Sequence, residues 1–376
     1  MRRRTRAPRA PVCIRRTSAR RLVPARARGA PVVCMAAIAV VSAAACAAPP
    51  SPQRPAPEPS SRGAARPVVR TADPARRGLT AADFPRVQRL ADGVYSYEQL
   101  RSAGAETFTT VSLFVVTPAG VLVADGQGSE AETRRLVATI AAVTDRPITH
   151  VVVCSDHGDH TGGNAAFPAN AAYLAHPTSA AVLSAAAARR GGAGGAASGG
   201  AGDARRGGGR GAEAAPTVRY TLVADREVIR LGGREIHVRF LGRAHTGGDL
   251  VVHLPREKIL FMSETFLNRV FPAMRSAFPS EWLAMLDAAR SMDIDLYVPG
   301  HGFVDSPRVL EQELDEYRNA LARVIGEARR LHAAGVGVED AVGRAEFGDL
   351  EEWSLRASQA PIAIRRVYME LNGELR

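Results

Sequence analysis

Between Thr149 and Asn164 the chain reads T-H-V-V-V-C-S-D-H-G-D-H-T-G-G-N, and three ligand-type side chains, His157, Asp159 and His160, fall inside four residues. Imidazole and carboxylate together bind divalent metals; without thiolate the set suits zinc, with iron or manganese as further candidates. Any one of these residues alone would read as a solvated side chain on a polar loop. Three of them at the end of an apolar run read as a metal site. That run, Val151 to Val153, predicts a buried strand, which fixes the backbone entering the loop and sends the side chains of residues 155 and 157 the same way. Cys154, at the strand end, reads as a small buried residue rather than a nucleophile.

The segment resembles the metal-binding signature of the metallo-β-lactamase superfamily, H-x-H-x-D-H followed by a glycine pair. Here the string is S-D-H-G-D-H, so Ser155 stands where the first histidine is expected, while His157, Asp159 and His160 match. Two later strings extend the resemblance. Gly242 to Asp249, G-R-A-H-T-G-G-D, implies His245 as the next ligand, with Asp249 fixing its loop, and Pro299-Gly300-His301-Gly302 implies His301 as the last. Asp125 stands where the superfamily has an aspartate close to the metal centre, which implies that it orients a histidine ligand. Glu264 follows the apolar run K-I-L-F-M at a point where many superfamily hydrolases carry Gly-Asp. By that resemblance it is a bridging or single-metal carboxylate; a surface glutamate is the alternative. The resemblance covers residues 87 to 305.

It implies an α/β fold, a four-layer αββα sandwich with the metal site on one edge between the sheets and its ligands on strand-end loops. The implied chemistry is zinc-dependent hydrolysis of an amide, lactone or other ester-type bond in a small molecule. A zinc ion lowers the pKa of a bound water to about 7 and polarises the carbonyl under attack, and Asp159 would hold that water and carry its proton. His157 and His245 would serve one metal position, and Asp159, His160 and His301 the other, with Glu264 as a further donor. Because serine is a poor zinc ligand, Ser155 predicts an asymmetric centre, with one zinc tightly bound and a second weak or absent. Two tightly bound ions would point instead to Glu264 replacing the missing ligand. An iron-dependent oxygenase of the same fold, or a degenerate binding protein that has lost turnover, are the competing readings.

The positioning elements follow from periodicity and turn residues. Strands are predicted over Gly93–Tyr97, Thr109–Thr117, Gly120–Ala124, Tyr173–Ala175, Val218–Val223, Val228–Leu231, Glu235–Leu241, Leu250–Leu254, Lys258–Met262 and Leu296–Val298. Helices are predicted over Glu130–Ala142, Thr178–Ala188, Trp282–Met292, Val309–Ala333 and Pro361–Leu371. The aromatic and apolar segment Phe266–Pro279 would wall a substrate cleft, with Asn268 or Arg269 as polar handles, or pack on the core. Residues 187–216, dominated by Gly, Ala and Arg, form a flexible insertion in the domain at 81–376. Residues 47–80, rich in Pro, Ala, Arg and Ser, form a disordered linker.

The net charge of +11 suggests a nucleic-acid partner until it is located. Residues 1–46 hold eleven of the 49 basic residues and no acidic one, leaving 38 basic against 38 acidic residues in the remainder. The case for nucleic acid goes with them. An Arg-rich segment, an apolar run from Val32 to Val41 and small residues to Cys46 have the anatomy of an export signal, which implies a periplasmic, secreted or membrane-anchored protein. Cleavage among the small residues, or acylation of Cys46 as a lipoprotein anchor, both fit. Cys154 is the one cysteine beyond residue 46, so the body of the chain holds no disulfide.

Overall fold

Among the described residues twelve strands form the centre of the molecule, and strand pairing divides them into two halves. The computed structural model describes residues 69–193 and 218–375; the expected export signal and most of the Gly/Ala/Arg-rich insertion lie outside those residues. The first half contains β1 (Arg86–Ala91), β2 (Val94–Ala103), β3 (Glu106–Thr117), β4 (Gly120–Ala124), α1 (Glu130–Val143), β5 (Ile148–Val153), α2 (Gly158–Thr161), β6 (Ala172–Ala175), α3 (Pro177–Ala193) and β7 (Tyr220–Leu222). Strands β1 to β4 pair antiparallel in sequence order, and β4 to β7 continue as parallel neighbours. The second half contains β8 (Arg226–Leu231), β9 (Arg234–Phe240), β10 (Leu250–Leu254), β11 (Ile259–Leu267), α4 (Pro279–Arg290), β12 (Leu296–His301), α5 (Pro307–Ala333), α6 (Val338–Arg344) and α7 (Arg356–Leu371). Its strands run β8-β9-β10-β11-β12, antiparallel except for the parallel pair β11–β12. The strands of the two halves pair at one antiparallel bridge between Thr110 and His301, and Leu250 N donates to the Cys154 carbonyl across the seam at 2.8 Å.

Alternating burial explains the layers. On the outer face of the first half, Tyr97, Phe114, Val121, Val123, Val151 and Val153 pack against Leu136 and Ile140 of α1 and Ala180 of α3. Side chains of opposite parity, among them Leu113, Val115, Leu122 and Val152, belong to one cluster with Ile236, Val238, Val252 and Phe261 of the second half. Outside that half, α4, α5 and α7 add Trp282, Leu286, Leu314, Tyr317, Leu321 and Val367. Helix, sheet, sheet and helix are therefore stacked in the expected four layers, with apolar residues facing inward from each. Helix α5 shows why it docks: Leu310, Leu314, Tyr317, Leu321, Val324, Ala328 and Leu331 recur every three or four residues and are all buried. Helix α1 starts at Ser129, whose hydroxyl accepts from Glu132 N at 3.3 Å and donates to the Glu132 carboxylate at 2.9 Å, satisfying a free N-terminal donor.

Several boundaries differ from the sequence reading. Helix α3 continues five residues beyond Ala188, to Ala193, into the start of the expected insertion. Helix α7 begins at Arg356 and carries Pro361 within it. Strand β11 does not end at Met262 but continues through Glu264 to Leu267, with register irregularities flanking Ser263. Residues 69–80, placed by composition in the linker, pack on the domain instead. Ala72 is fully buried, Arg70 pairs with the buried carboxylate of Glu313, and Arg77 grips Asp305 with two bonds of 2.7 and 2.9 Å while lying over the Phe303 ring. Low hydrophobicity hid this strap because its hold is ionic.

A chain starting at Ala81 is expected to lose roughly 2–4 kcal/mol of stability relative to one starting at Val69, because Glu313 and Asp305 lose partners. Urea unfolding of the two chains, with equal midpoints as the contrary result, measures this.

Candidate metal centre

The strap holds the loop after β12, and the end of β12 is one of five segments that converge at the seam between the sheets. From the first half come Asp125, following β4, and Ser155 to His160, following β5, with Asp159 and His160 inside α2. From the second half come His245 on the β9–β10 loop, Glu264 within β11 and His301 at the end of β12. The turn after the ligands needs its glycine. A Cβ at Gly163 would lie 2.0 Å from Thr133 Oγ1 and 2.2 Å from Ser129 O, so only glycine lets the turn after α2 press against the N-terminal turn of α1.

Each imidazole turns one nitrogen inward, and each ring is held from behind in its own way. His301 Nδ1 lies 2.8 Å from the Thr109 carbonyl, which can only accept, so Nδ1 carries the proton and Nε2 faces the centre. His160 Nδ1 is 3.1 Å from Asp125 Oδ2, which leaves its Nε2 inward. The ring of His245 packs edge-on against Trp282, with centroids 5.2 Å apart, and its loop is clamped by Asp249, which accepts from Thr246 N at 2.6 Å and Thr246 Oγ1 at 2.7 Å. His157 directs Nδ1 inward, and its Nε2 is 3.3 Å from Ser276 Oγ. Asp125 serves three segments at once: it faces His160 and accepts from Cys154 N at 2.8 Å and from Ser263 Oγ at 2.5 Å. Asp125 and Ser263 both adopt left-handed backbone, with φ of 61° and 48°, a cost that non-glycine residues bear where a site requires it.

Glu264 occupies the middle. Its Oε1 is 3.2 Å from His245 Nε2, 3.4 Å from His301 Nε2 and 3.9 Å from His160 Nε2. Its Oε2 is 3.1 Å from His157 Nδ1 and accepts a hydrogen bond from Ser155 Oγ. Two groups of donors therefore share this carboxylate: Asp159, His160, His301 and Glu264 in one, His157, His245 and Glu264 in the other, each with atoms within 4.8 Å of one another. Burial opposes every charge here, but the surrounding His245, His157 and His160 hold the Glu264 carboxyl well below its ordinary range. Burial likewise opposes protonation of His157 and His301, yet the facing carboxylates push them up to about 9 and about 10.

Access is from one side. The side chains of His157 and Asp159 are 10% and 16% exposed, whereas those of His160, His245, Glu264 and His301 stay at or below 5%. Asp159 Oδ2 lies 3.2 Å from His301 Nε2 and 3.3 Å from Arg101 Nε of β2. A separate cleft of about 790 Å³ is lined by Leu100, Thr107, Trp353 and the strap and contains none of these donors.

All six residues expected as ligands converge, as does Asp125. Ser155 is fully buried and touches Glu264 rather than lying apart. Glu264 is neither on the surface nor on a strand-end loop; it is presented by the irregular stretch of β11. Of the two readings of residues 266–279, the packing one holds for both polar candidates. Asn268 is buried and donates to the Phe303 carbonyl at 2.8 Å, while its own N–H donates to the His301 carbonyl at 3.0 Å, and Arg269 is engaged by Glu313 at 2.5 Å. The absent Cβ of Gly302 is what admits Asn268, whose carbonyl would stand 2.1 Å from it. Cys154 is buried, and burial with the nearby Asp125 and Asp249 pushes its thiol well up, in keeping with a packing role. Arg101, Ser263 and Ser276 escaped the sequence reading, since nothing in their local pattern marks them.

Asp125→Ala leaves Cys154 N, Ser263 Oγ and His160 Nδ1 without their shared acceptor. Metal affinity should fall about 10–100-fold, measured by competition for zinc with a chelating indicator; an unchanged affinity would remove Asp125 from the site.

Comparison with known proteins adds family information. The family model described as Metallo-beta-lactamase superfamily matches residues 106–301. The 2,4-dinitroanisole O-demethylase subunit alpha of Nocardioides sp. (strain JS1661) is 25% identical over 222 residues, 58% of this chain and 57% of that protein. The metallo-beta-lactamase type 2 of Bacillus sp. (strain 170) is 23% identical over 238 residues, 61% of this chain and 80% of that protein. The chain thus spans little more than half the length of the first of these relatives. Among solved structures, a metallo-beta-lactamase from Pontibacter korlensis aligns at a TM-score of 0.49 with 19% identity, over 62% of this chain and 99% of that one.

Proposed function

The chain belongs to the metallo-beta-lactamase superfamily, and from that premise we propose that it is an exported, zinc-dependent hydrolase that cleaves an amide, lactone or other ester-type bond in a small molecule. The observation that carries this reading is the pair of donor groups sharing Glu264. The donors fit a metal ion: the inward nitrogens of His157, His160, His245 and His301 and the carboxylates of Asp159 and Glu264 crowd together, and partners behind His160 and His301 leave those inward atoms free to coordinate. Imidazole and carboxylate without thiolate favour zinc.

His157 and His245 would hold one ion, Asp159, His160 and His301 the other, with Glu264 between them. Zinc held there supplies Lewis acidity and acidifies a coordinated water to a pKa of about 7. The remaining work falls to the chain. Asp159 stands at the accessible rim, where its carboxylate can orient the attacking water and take its proton. The His301 and His160 rings hold the Asp159 carboxyl below its ordinary range against burial, and Arg101, 3.3 Å from its Oδ2, braces it in place. Ser276 and the exposed Arg275 border the opening on the His157 side, where a substrate would rest. The name of the first relative adds an aryl methyl ether to the bonds worth testing. Export rests on the anatomy of residues 1–46, with Cys46 as the one lipid-anchor position.

Protein purified from unsupplemented medium should carry zinc and hydrolyse at least one member of a panel of chromogenic β-lactam, lactone, thioester, phosphodiester and 2,4-dinitroanisole substrates. A chelator should abolish the activity and zinc restore it, and Asp159→Asn should lower turnover by about 10²–10⁴. Iron as the bound metal with consumption of oxygen, or turnover indifferent to chelation, would sink the hydrolase reading.

A further inference from the structure

Ser155 and Glu264 are in contact at the centre of the site although 109 positions apart in sequence. Ser155 is fully buried, its hydroxyl donates to Glu264 Oε2, and its oxygen faces the His157 N–H at 3.3 Å. The single hydroxyl proton is thus committed to the carboxylate. Oε2 in turn lies on the His157 side, whereas Oε1 faces His245, His301 and His160. This is the orientation in which one carboxylate reaches both donor groups, and the serine is the one neutral hydrogen-bond donor that fixes it among the described residues.

We propose that Ser155 is a positioning residue that acts through Glu264, and that the two form one exchangeable unit: the hydroxyl holds the long carboxylate as the ligand shared by both metal positions. The inference rests on the zinc-centre reading above. It replaces the asymmetric centre predicted from sequence with one in which both positions fill. The unit also has a steric side. Side-chain atoms extending from residue 155 beyond its Oγ position run into the Glu264 carboxylate, so an imidazole there and a glutamate at 264 exclude each other. Shortening Glu264 by one methylene withdraws the carboxylate by about 1.5 Å and opens the room a ring needs. Serine with glutamate, or histidine with aspartate, each complete the donor set; the mixed pairs do not.

Zinc stoichiometry and affinity, measured by equilibrium dialysis with a competing chelator, test this on the unmodified chain and four variants. The absorption spectrum of the cobalt-loaded chain reports coordination alongside. The unmodified chain should bind two ions. Ser155→Ala should keep one and bind the second about tenfold or more weakly, while Ser155→Thr, which retains the hydroxyl, should restore it. Ser155→His alone should also fall short of two, and Ser155→His combined with Glu264→Asp should return to two with a changed cobalt spectrum. Melting of the zinc-free proteins identifies any variant that has failed to fold, and the threonine and double variants then carry the comparison. Two ions bound by Ser155→Ala with unchanged affinity, or by Ser155→His without its partner change, would overturn the proposal while leaving the metal centre in place. An unmodified chain that takes up no zinc would overturn the zinc reading itself, and this inference with it.

Discussion

A carboxylate buried among four imidazoles is the interaction on which this site depends. Removing Glu264 from water is costly, and the cost is offset only if opposite charge and hydrogen bonds surround it. His157, His160, His245 and His301 do so from two sheets, which constrains everything behind them. Asp125 must turn His160, the Thr109 carbonyl must turn His301, and Asp249 must hold the loop of His245. The rings are set by groups that never face the centre.

The backbone bears part of this demand. Glu264 reaches the middle because β11 breaks register at Ser263, whose left-handed conformation re-aims the next side chain. The hydroxyl of Ser263 then bonds to Asp125, itself left-handed. Two strained residues from opposite sheets thus stabilise each other's unusual conformations. Such local irregularity in an otherwise regular strand is typical of functional positions.

Much of this was readable from residue order. Three strings and one aspartate, through their resemblance to the metallo-β-lactamase superfamily, marked segments that converge. The four layers were implied by the same resemblance; alternation in the strands and the three-to-four spacing in α5 marked the elements that fill them. What escaped has physical reasons. The strap at residues 69–80 is held by Arg70 and Arg77 on distant acids, and ion pairs across the fold leave no periodic trace. The place of Glu264 inside β11 was missed because a bulge has no reliable local pattern. Arg101 and Ser276 reach the site by tertiary approach alone. Ser155 read as a lost ligand; its relation to Glu264 exists only once the two sheets are brought together.

The seam between those sheets has a further consequence. One strand pairing, from Thr110 to His301, joins them at the level of the site, and the donors are divided across it. An ion that binds both sides acts as a rivet, so its binding free energy adds to the cohesion of the whole molecule. Loading and lifetime are then one equilibrium. In surroundings poor in the ion, the chain would unfold more often and be cleared by proteases sooner, so its abundance would follow metal supply without any dedicated sensor.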